Sequence, residues 1–144
     1  MPAVTVGNFD GVHRGHQALV REAVAGARGL SGTAVVLTFD PHPARVLGPG
    51  GAPGTLMTPE QKAEALAGLG VDCLAVLPFT RELSEKAPEA FAREVLAGAL
   101  GACLVVVGSG FRFGRGRAGD VGELQALGRV LGFAVRAIEP VWHE

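Results

Sequence analysis

Ala3-Val4-Thr5-Val6-Gly7-Asn8-Phe9-Asp10-Gly11-Val12-His13-Arg14-Gly15-His16 begins with a short β-prone run, passes through a turn punctuated by glycines and enters a segment of helical period. Beyond it, Leu19, Val20, Ala23, Val24 and Ala27 recur at spacings of three and four. That period predicts a helix over 15–28 with one apolar face, ended by Gly29. Strand, glycine turn and helix make up the first half of a βαβ unit, so the fold depends on whether the unit repeats.

The unit does repeat. Apolar runs at 33–39, 73–77, 103–107 and 133–138 are rich in Val or Leu and lack polar alternation, which is how strands buried on both faces read. Helical segments lie between them. Thr58-Pro59-Glu60-Gln61 combines an N-cap, a proline at the first helical position and the third residue of a capping box, which starts a helix over 58–69 stopped by Gly70. A helix over 88–100 would bury Phe91, Val95 and Leu96, with Gly101 as a left-handed C-cap. Another starts at Asp120, capped by its carboxylate with Glu123 reciprocating, and would bury Leu124, Leu127 and Leu131 before Gly132. The expected fold is α/β: a Rossmann-like open parallel five-stranded sheet with helices on both faces, in a single domain.

Bulk properties agree with one folded core. The chain has 144 residues, 48% hydrophobic and 19% charged, enough to fill an interior and leave a solvated surface. A net charge of −1 gives no electrostatic footprint for nucleic acid or an anionic membrane. Of the 13 basic residues, 11 are arginines, a count that codon preference explains as well as phosphate binding does, so only local placement carries information. Cys73 and Cys103 each open an apolar run and read as small buried hydrophobes, not a disulfide or metal site. No apolar run approaches the ~18 residues that span a bilayer and no leader precedes the first strand, so a cytoplasmic protein is expected.

Two loops stand apart from the core pattern. Both the Pro- and Gly-rich stretch 40–57 and the Gly- and Arg-rich stretch 108–119 follow the carboxyl end of a strand, where open parallel sheets bind ligands. The first glycine turn has the same placement. Gly7, Gly11 and Gly15 allow close backbone approach, and the helix behind them offers free N–H groups and a positive dipole end to phosphate. His13 and His16, three apart, can point at one ligand and donate hydrogen bonds to phosphoryl oxygens as charge grows on them. Local capping is the bland alternative for these histidines. Zinc is disfavoured because no third ligand lies nearby, and no metal site is expected. In the 108–119 loop, glycine-flanked arginines on a flexible segment can fold over phosphates, while Phe111 and Phe113 offer flat surfaces to a ring. RNA binding by this RG-rich segment would need more basic charge than the chain carries. Gly108-x-Gly110 lacks the spacing of a dinucleotide fingerprint, and no Walker A string occurs.

The string G-N-F-D-G-V-H-x-G-H resembles the first motif of bacterial FAD synthetase, the FMN adenylyltransferase module of bifunctional riboflavin kinase/FAD synthetases, and H-x-G-H marks the wider nucleotidyltransferase superfamily. Val36-Leu37-Thr38-Phe39-Asp40-Pro41-His42-Pro43 is similar to the second motif of that family. Gly108-Ser109-Gly110-Phe111-Arg112-Phe113-Gly114-Arg115-Gly116-Arg117-Ala118-Gly119 is similar to its third, G-x-[DN]-F-R-F-G-x-x-R-x-G. The stretches from Leu56 to Leu66 and from Leu77 to Thr80 match in order and spacing as well, so the resemblance covers nearly the whole chain.

This resemblance implies a nucleotidyltransferase-type sheet and transfer of AMP from ATP to FMN, giving FAD and pyrophosphate, with Mg²⁺ on the ATP phosphates. It implies His13 and His16 as catalytic residues. Gly7, Asn8, Phe9, Asp10, Gly15, Phe111, Arg112 and Gly114 would bind the nucleotide, and Phe39, Pro41, His42, Pro43 and Phe113 the flavin. The competing readings are a related cytidylyltransferase, which the F-D-P-H-P and F-R-F-G strings disfavour, and a flavin- or nucleotide-binding fragment without turnover. Two departures bear on these expectations. Gly110 replaces the family's Asn or Asp, removing a hydrogen bond of about 0.5–1.5 kcal/mol. The family also continues into an S-S/T-x-x-R segment and a riboflavin kinase barrel, whereas this sequence stops at Pro140-Val141-Trp142-His143-Glu144. Residues 1–144 are therefore expected to be an adenylyltransferase domain lacking its C-terminal segment, with the kinase domain absent.

Overall fold

A computed structural model of the protein describes residues 1–7, 14–40 and 59–139. Five strands form one wholly parallel sheet: β1 (Pro2–Val6), β2 (Thr33–Asp40), β3 (Cys73–Pro78), β4 (Leu104–Gly108) and β5 (Ala134–Ile138). Their order is β3-β2-β1-β4-β5. From β1 the chain winds outward through β2 to one edge and then returns past β1 to β4 and β5. Strand order therefore reverses between β1 and β4, which pair through Ala3 with Leu104, Val4 with Val105 and Thr5 with Val106. The crevice at the carboxyl ends of those two strands is where such a sheet receives a ligand.

The period-two pleat divides the side chains of the central strands between two layers. On one face, Ala3, Ala34, Leu104 and Val106 pack against Leu19, Ala23 and Ala27 of helix α1 (Arg14–Gly29). Beside them Val36 meets Val20 and Leu66, the latter from α2 (Pro59–Ala67). On the other face, Val4, Val6, Val35, Leu37, Val105 and Val107 meet Phe91, Val95, Leu96, Leu124 and Phe133. Burying each large apolar side chain is worth about 1.5–3 kcal/mol, so this double layer is the main source of stability. Thr5 is fully buried on the α1 side, and its hydroxyl has no partner among the described residues.

On the second face, the helix expected over 88–100 changes pitch along its length. It starts as α4 (Pro88–Phe91) and continues over Ala92–Ala99 in the wider π form, closed by the Leu100 N–H on the Val95 carbonyl at 3.0 Å. A π turn advances each side chain by less than an α turn, and Phe91, Val95 and Leu96 all still reach the core. Gly101 follows in the left-handed conformation, as expected. The last helix, α5 (Val121–Leu131), is capped by Asp120, whose carboxylate accepts the Glu123 N–H at 2.9 Å. Left-handed Gly132 turns the chain so that Phe133 folds back on Gly128, where an added Cβ would lie 2.4 Å from the Phe133 carbonyl oxygen.

Three expectations need correction. A single-turn helix, α3 (Arg81–Ser84), was not anticipated; the Thr80 hydroxyl caps it by accepting the Leu83 N–H at 3.1 Å. The outer strands β3 and β5 are not buried on both faces, because the helices cover the sheet edges only in part. Nor are the cysteines buried: Cys73, on edge strand β3, is exposed, and Cys103, which precedes β4 at the amino end of the sheet, is half-buried. The Thr58 cap expected for α2 lies outside the described residues.

Candidate active site

Four strands deliver residues to one cavity at the carboxyl edge of the sheet. β1 ends in Val6 and Gly7, and the Gly7 N–H donates to the Leu37 carbonyl at 3.0 Å, tying the exit of β1 to β2. β2 contributes Phe39. Beyond β3, Phe79 leads through the Thr80 cap into α3, which presents Leu83 and Ser84. Phe91 comes from α4, and the segment after β4 supplies Gly110 through Gly114 together with Gly116 and Arg117. The volume of this open-mouthed cavity is about 490 Å³, within the usual range for a small-molecule site.

Five phenylalanines make its walls. Phe39 and Phe79 meet edge to face, with centroids 5.7 Å apart and planes at 80°. Opposite in character, Phe111 and Phe113 stack nearly parallel at 5.7 Å and 14°. Phe113 also touches Phe91 at 6.1 Å, and at 6% exposure it belongs to the hydrophobic core while reaching the cavity. A cavity walled by aromatic edges and faces suits a flat, polarizable ring.

The 108–119 segment, expected to be flexible, is laced to its surroundings by backbone hydrogen bonds. Ser109 N–H donates to the Ile138 carbonyl at 2.9 Å, and Phe111 N–H closes a turn on the Gly108 carbonyl at 3.0 Å. Phe113 and Gly119 form an antiparallel bridge, donating to each other at 3.1 and 2.9 Å. Arg115 N–H reaches across to the Lys86 carbonyl at 2.8 Å. The Lys86 side chain is itself fixed by its ion pair with Glu94 at 2.6 Å, and that hydrogen bond and charge hold the Glu94 carboxyl below the usual range. Gly114 is required at the contact: its φ is +81°, and a Cβ there would stand 2.7 Å from Pro88 Cγ and 2.8 Å from Pro88 N. A one-turn 3₁₀ helix, Arg115–Arg117, completes the loop.

The structure thus brings Gly7, Phe39, Phe111, Arg112, Phe113 and Gly114 together around one cavity. Gly15 and His16 stand in the first turn of α1. Asn8, Phe9, Asp10, His13, Pro41, His42 and Pro43 lie outside the described residues. Phe79, Leu83 and Ser84 line the cavity without having been singled out, Arg117 was read only as part of the third motif, and Phe91 was read as core alone. The Leu77-Pro78-Phe79-Thr80 string held the available signal, since a proline closing a strand and a Thr cap place Phe79 at the carboxyl edge. Among the described residues no cluster of His, Cys, Asp or Glu could hold a metal ion, and no helix is long and apolar enough to cross a membrane.

Comparison with known proteins agrees with this geometry. The family model described as FAD synthetase matches residues 2–144. A bifunctional riboflavin kinase/FMN adenylyltransferase from Listeria monocytogenes is 43% identical over 84% of this chain and 38% of its own length. The protein of the same name from Pseudomonas fluorescens is 39% identical over 95% of this chain and 44% of its own. Among solved structures, a macrolide-efflux protein from Streptococcus pneumoniae superposes with a TM-score of 0.79 at 28% identity, over 99% of this chain and 46% of that one. The chain therefore spans less than half the length of these relatives. With three motifs, a reversing parallel sheet and a family match from residue 2 to residue 144, the chain belongs to the FAD synthetase family.

Proposed function

We propose that this chain is an FMN adenylyltransferase domain, transferring AMP from ATP to FMN to give FAD and pyrophosphate. The observation that carries this reading is the phenylalanine-walled cavity at the carboxyl ends of β1 and β4, with Arg112 and Arg117 at its lining. An isoalloxazine ring fits between such walls, and guanidinium groups suit the phosphates that both substrates carry.

In the reaction a phosphate oxygen of FMN attacks the α-phosphorus of ATP, forming a new P–O bond as the bond to the β-phosphate bridge breaks. Pyrophosphate leaves with the bonding electrons. The attacking oxygen is already ionised, so the protein needs no nucleophile of its own and contributes alignment and charge neutralisation. His13 and His16 are assigned to donating hydrogen bonds as negative charge builds on the phosphoryl oxygens. Gly7, Asn8, Phe9, Asp10 and Gly15 shape the nucleotide loop, joined by Phe111, Arg112 and Gly114. Phe39, Pro41, His42, Pro43 and Phe113 form the flavin side. Mg²⁺ would enter on the ATP phosphates. Residues 1–144 would form the transferase domain, the kinase activity named in the relatives residing elsewhere. Free Cys73 and Cys103 fit a reducing cytosol.

Incubating the purified chain with FMN, ATP and Mg²⁺ and following FAD by chromatography tests the assignment. FAD should accumulate, and His16→Ala should slow its formation by ~10² or more with an unchanged circular dichroism melt. Binding of FMN and ATP with no FAD formed over hours would reject the transfer reading.

A further inference from the structure

Among the described residues, Thr5 carries the one buried side-chain polar atom without a hydrogen-bond partner, and its surroundings explain why. It lies on the α1 face of β1, in register with Val36 on β2 and Val106 on β4. Over this part of the sheet run Leu19, Val20, Ala23 and Ala27 of α1. All these side chains are hydrocarbon, and none can take part in a hydrogen bond. Thr38, the other buried threonine, is engaged in a polar interaction. Burying an unpaired hydroxyl is unfavourable, and valine would fill nearly the same space without that cost.

The spacing of residues along α1 decides which polar residue comes next on this face. Positions three and four apart share one side of a helix, so the buried stripe of Ala27, Ala23, Val20 and Leu19 continues at position 16. That residue is His16, in the first turn of α1. Because β1 and β2 are parallel, the helix joining them starts at their carboxyl ends. The stripe therefore reaches position 16 at the end where Thr5 leads through Val6 to Gly7 and the cavity. A neutral imidazole has one N–H that donates and one bare nitrogen that accepts, and the hydrogen bond made by one nitrogen sets the state of the other.

We propose that Thr5 is a positioning residue whose hydroxyl donates to one ring nitrogen of His16, holding the N–H on the other nitrogen to face the phosphoryl oxygens. The inference rests on the FMN adenylyltransferase reading and adds to it the group that selects the tautomer of the histidine assigned to those oxygens. Without the hydroxyl the ring proton divides between the two nitrogens, and only one of the two forms offers a donor to the transferring group. Thr5 itself touches no substrate and passes on no proton. Its effect falls on the alignment of the donor in the transition state, and so on the rate more than on substrate binding.

Steady-state FAD formation, urea melts and nitrogen NMR of the imidazole rings test this on wild type, Thr5→Val, Thr5→Ser, His16→Ala and the double variant of Thr5→Val with His16→Ala. Thr5→Val should lower kcat by about tenfold or more, with the KM values for FMN and ATP little changed. Its urea midpoint should equal or exceed that of wild type, because an unpaired hydroxyl has been removed from the interior. Thr5→Ser, which keeps the hydroxyl, should recover most of kcat. The His16 resonances, identified by their loss in His16→Ala, should report a single tautomer in wild type and a mixture in Thr5→Val. Once His16 is alanine, adding Thr5→Val should cost nothing further. An unchanged kcat in Thr5→Val, a kcat loss that follows a lowered urea midpoint, or a full further loss in the His16→Ala background would each overturn the proposal. Wild-type chain that binds both substrates without forming FAD would reject the transfer reading, and the tautomer comparison would then still decide the role of Thr5.

Discussion

The two ends of the sheet treat charge in opposite ways. At the amino end, the Asp72 carboxylate accepts the Ala34 N–H at 2.9 Å and Arg28 Nη1 at 3.0 Å, while Arg28 Nη2 donates to the Gly70 carbonyl at 3.1 Å. Thr33 N–H donates to Met1 there, and Cys103 N–H to Pro2. At the carboxyl end, Arg112 and Arg117 border the cavity unpaired among the described residues, on a loop rich in glycine. Where charges are matched within the chain they stitch strands to helices. Arg112 and Arg117 are left exposed to solvent beside the cavity.

Changes at the two ends should therefore have different readouts. The largest effect is expected from Gly128→Ala at the closed end, where the new Cβ would meet the Phe133 carbonyl at 2.4 Å and its ring at 2.9 Å. A urea melt should show a loss of about 1–3 kcal/mol, with FMN affinity per folded molecule unaltered. Gly114→Ala at the open end should cost about 1–2 kcal/mol from its left-handed backbone. Its main effect should instead be weaker FMN binding by fluorescence, because relief of the clash with Pro88 displaces the arginine loop. Equal changes in binding from both variants would erase the proposed division of labour.

The smallest effect belongs to Asp72→Asn and depends on pH. The Ala34 amide and the Arg28 guanidinium hold the Asp72 carboxyl below its ordinary value. A lowered folded pKa means that ionised Asp72 stabilises the fold above the unfolded value and that this contribution is lost as pH falls through the folded one. Urea midpoints of wild type should fall more steeply than those of Asp72→Asn at acid pH, the two curves converging at the lowest values. Parallel curves would show that the pair contributes nothing, the common outcome for exposed ion pairs.

Most of the framework was legible in the sequence because it depends on local pattern. The period of Leu19, Val20, Ala23 and Ala27 gave α1, and the apolar runs gave all five strands to within a residue or two. What escaped was set by assembly. The π widening after Phe91 depends on how Ala92–Ala99 seats on the sheet, and nothing in its composition marks it. Cys73 opens an apolar run like Cys103, yet its strand lies at an edge, so burial could not be read from the run alone. Gly7, Phe39 and the third motif, Arg117 included, lie in the motifs that were read and border the cavity, whereas Phe79 and Leu83 belong to it through contacts between segments distant in the chain. The backbone ties of the 108–119 loop were invisible for the same reason, since they run from Arg115 to Lys86 and from Ser109 to Ile138.

The position of β1 in the middle of the sheet has a consequence for biogenesis. Of these five strands a ribosome delivers this one before the others, and β2 can zip onto one flank soon after, but the other flank waits for Leu104 to Val106 to emerge. Through most of synthesis, then, Ala3 to Thr5 present an open row of amides and carbonyls on an apolar ribbon, the kind of edge that chaperones shield and that other nascent chains can join. Closure between β1 and β4 is a long-range event that should set the folding rate, and it is the same event that brings Gly7 and Arg112 to one cavity. The cavity and the centre of the sheet are thus born in a single step.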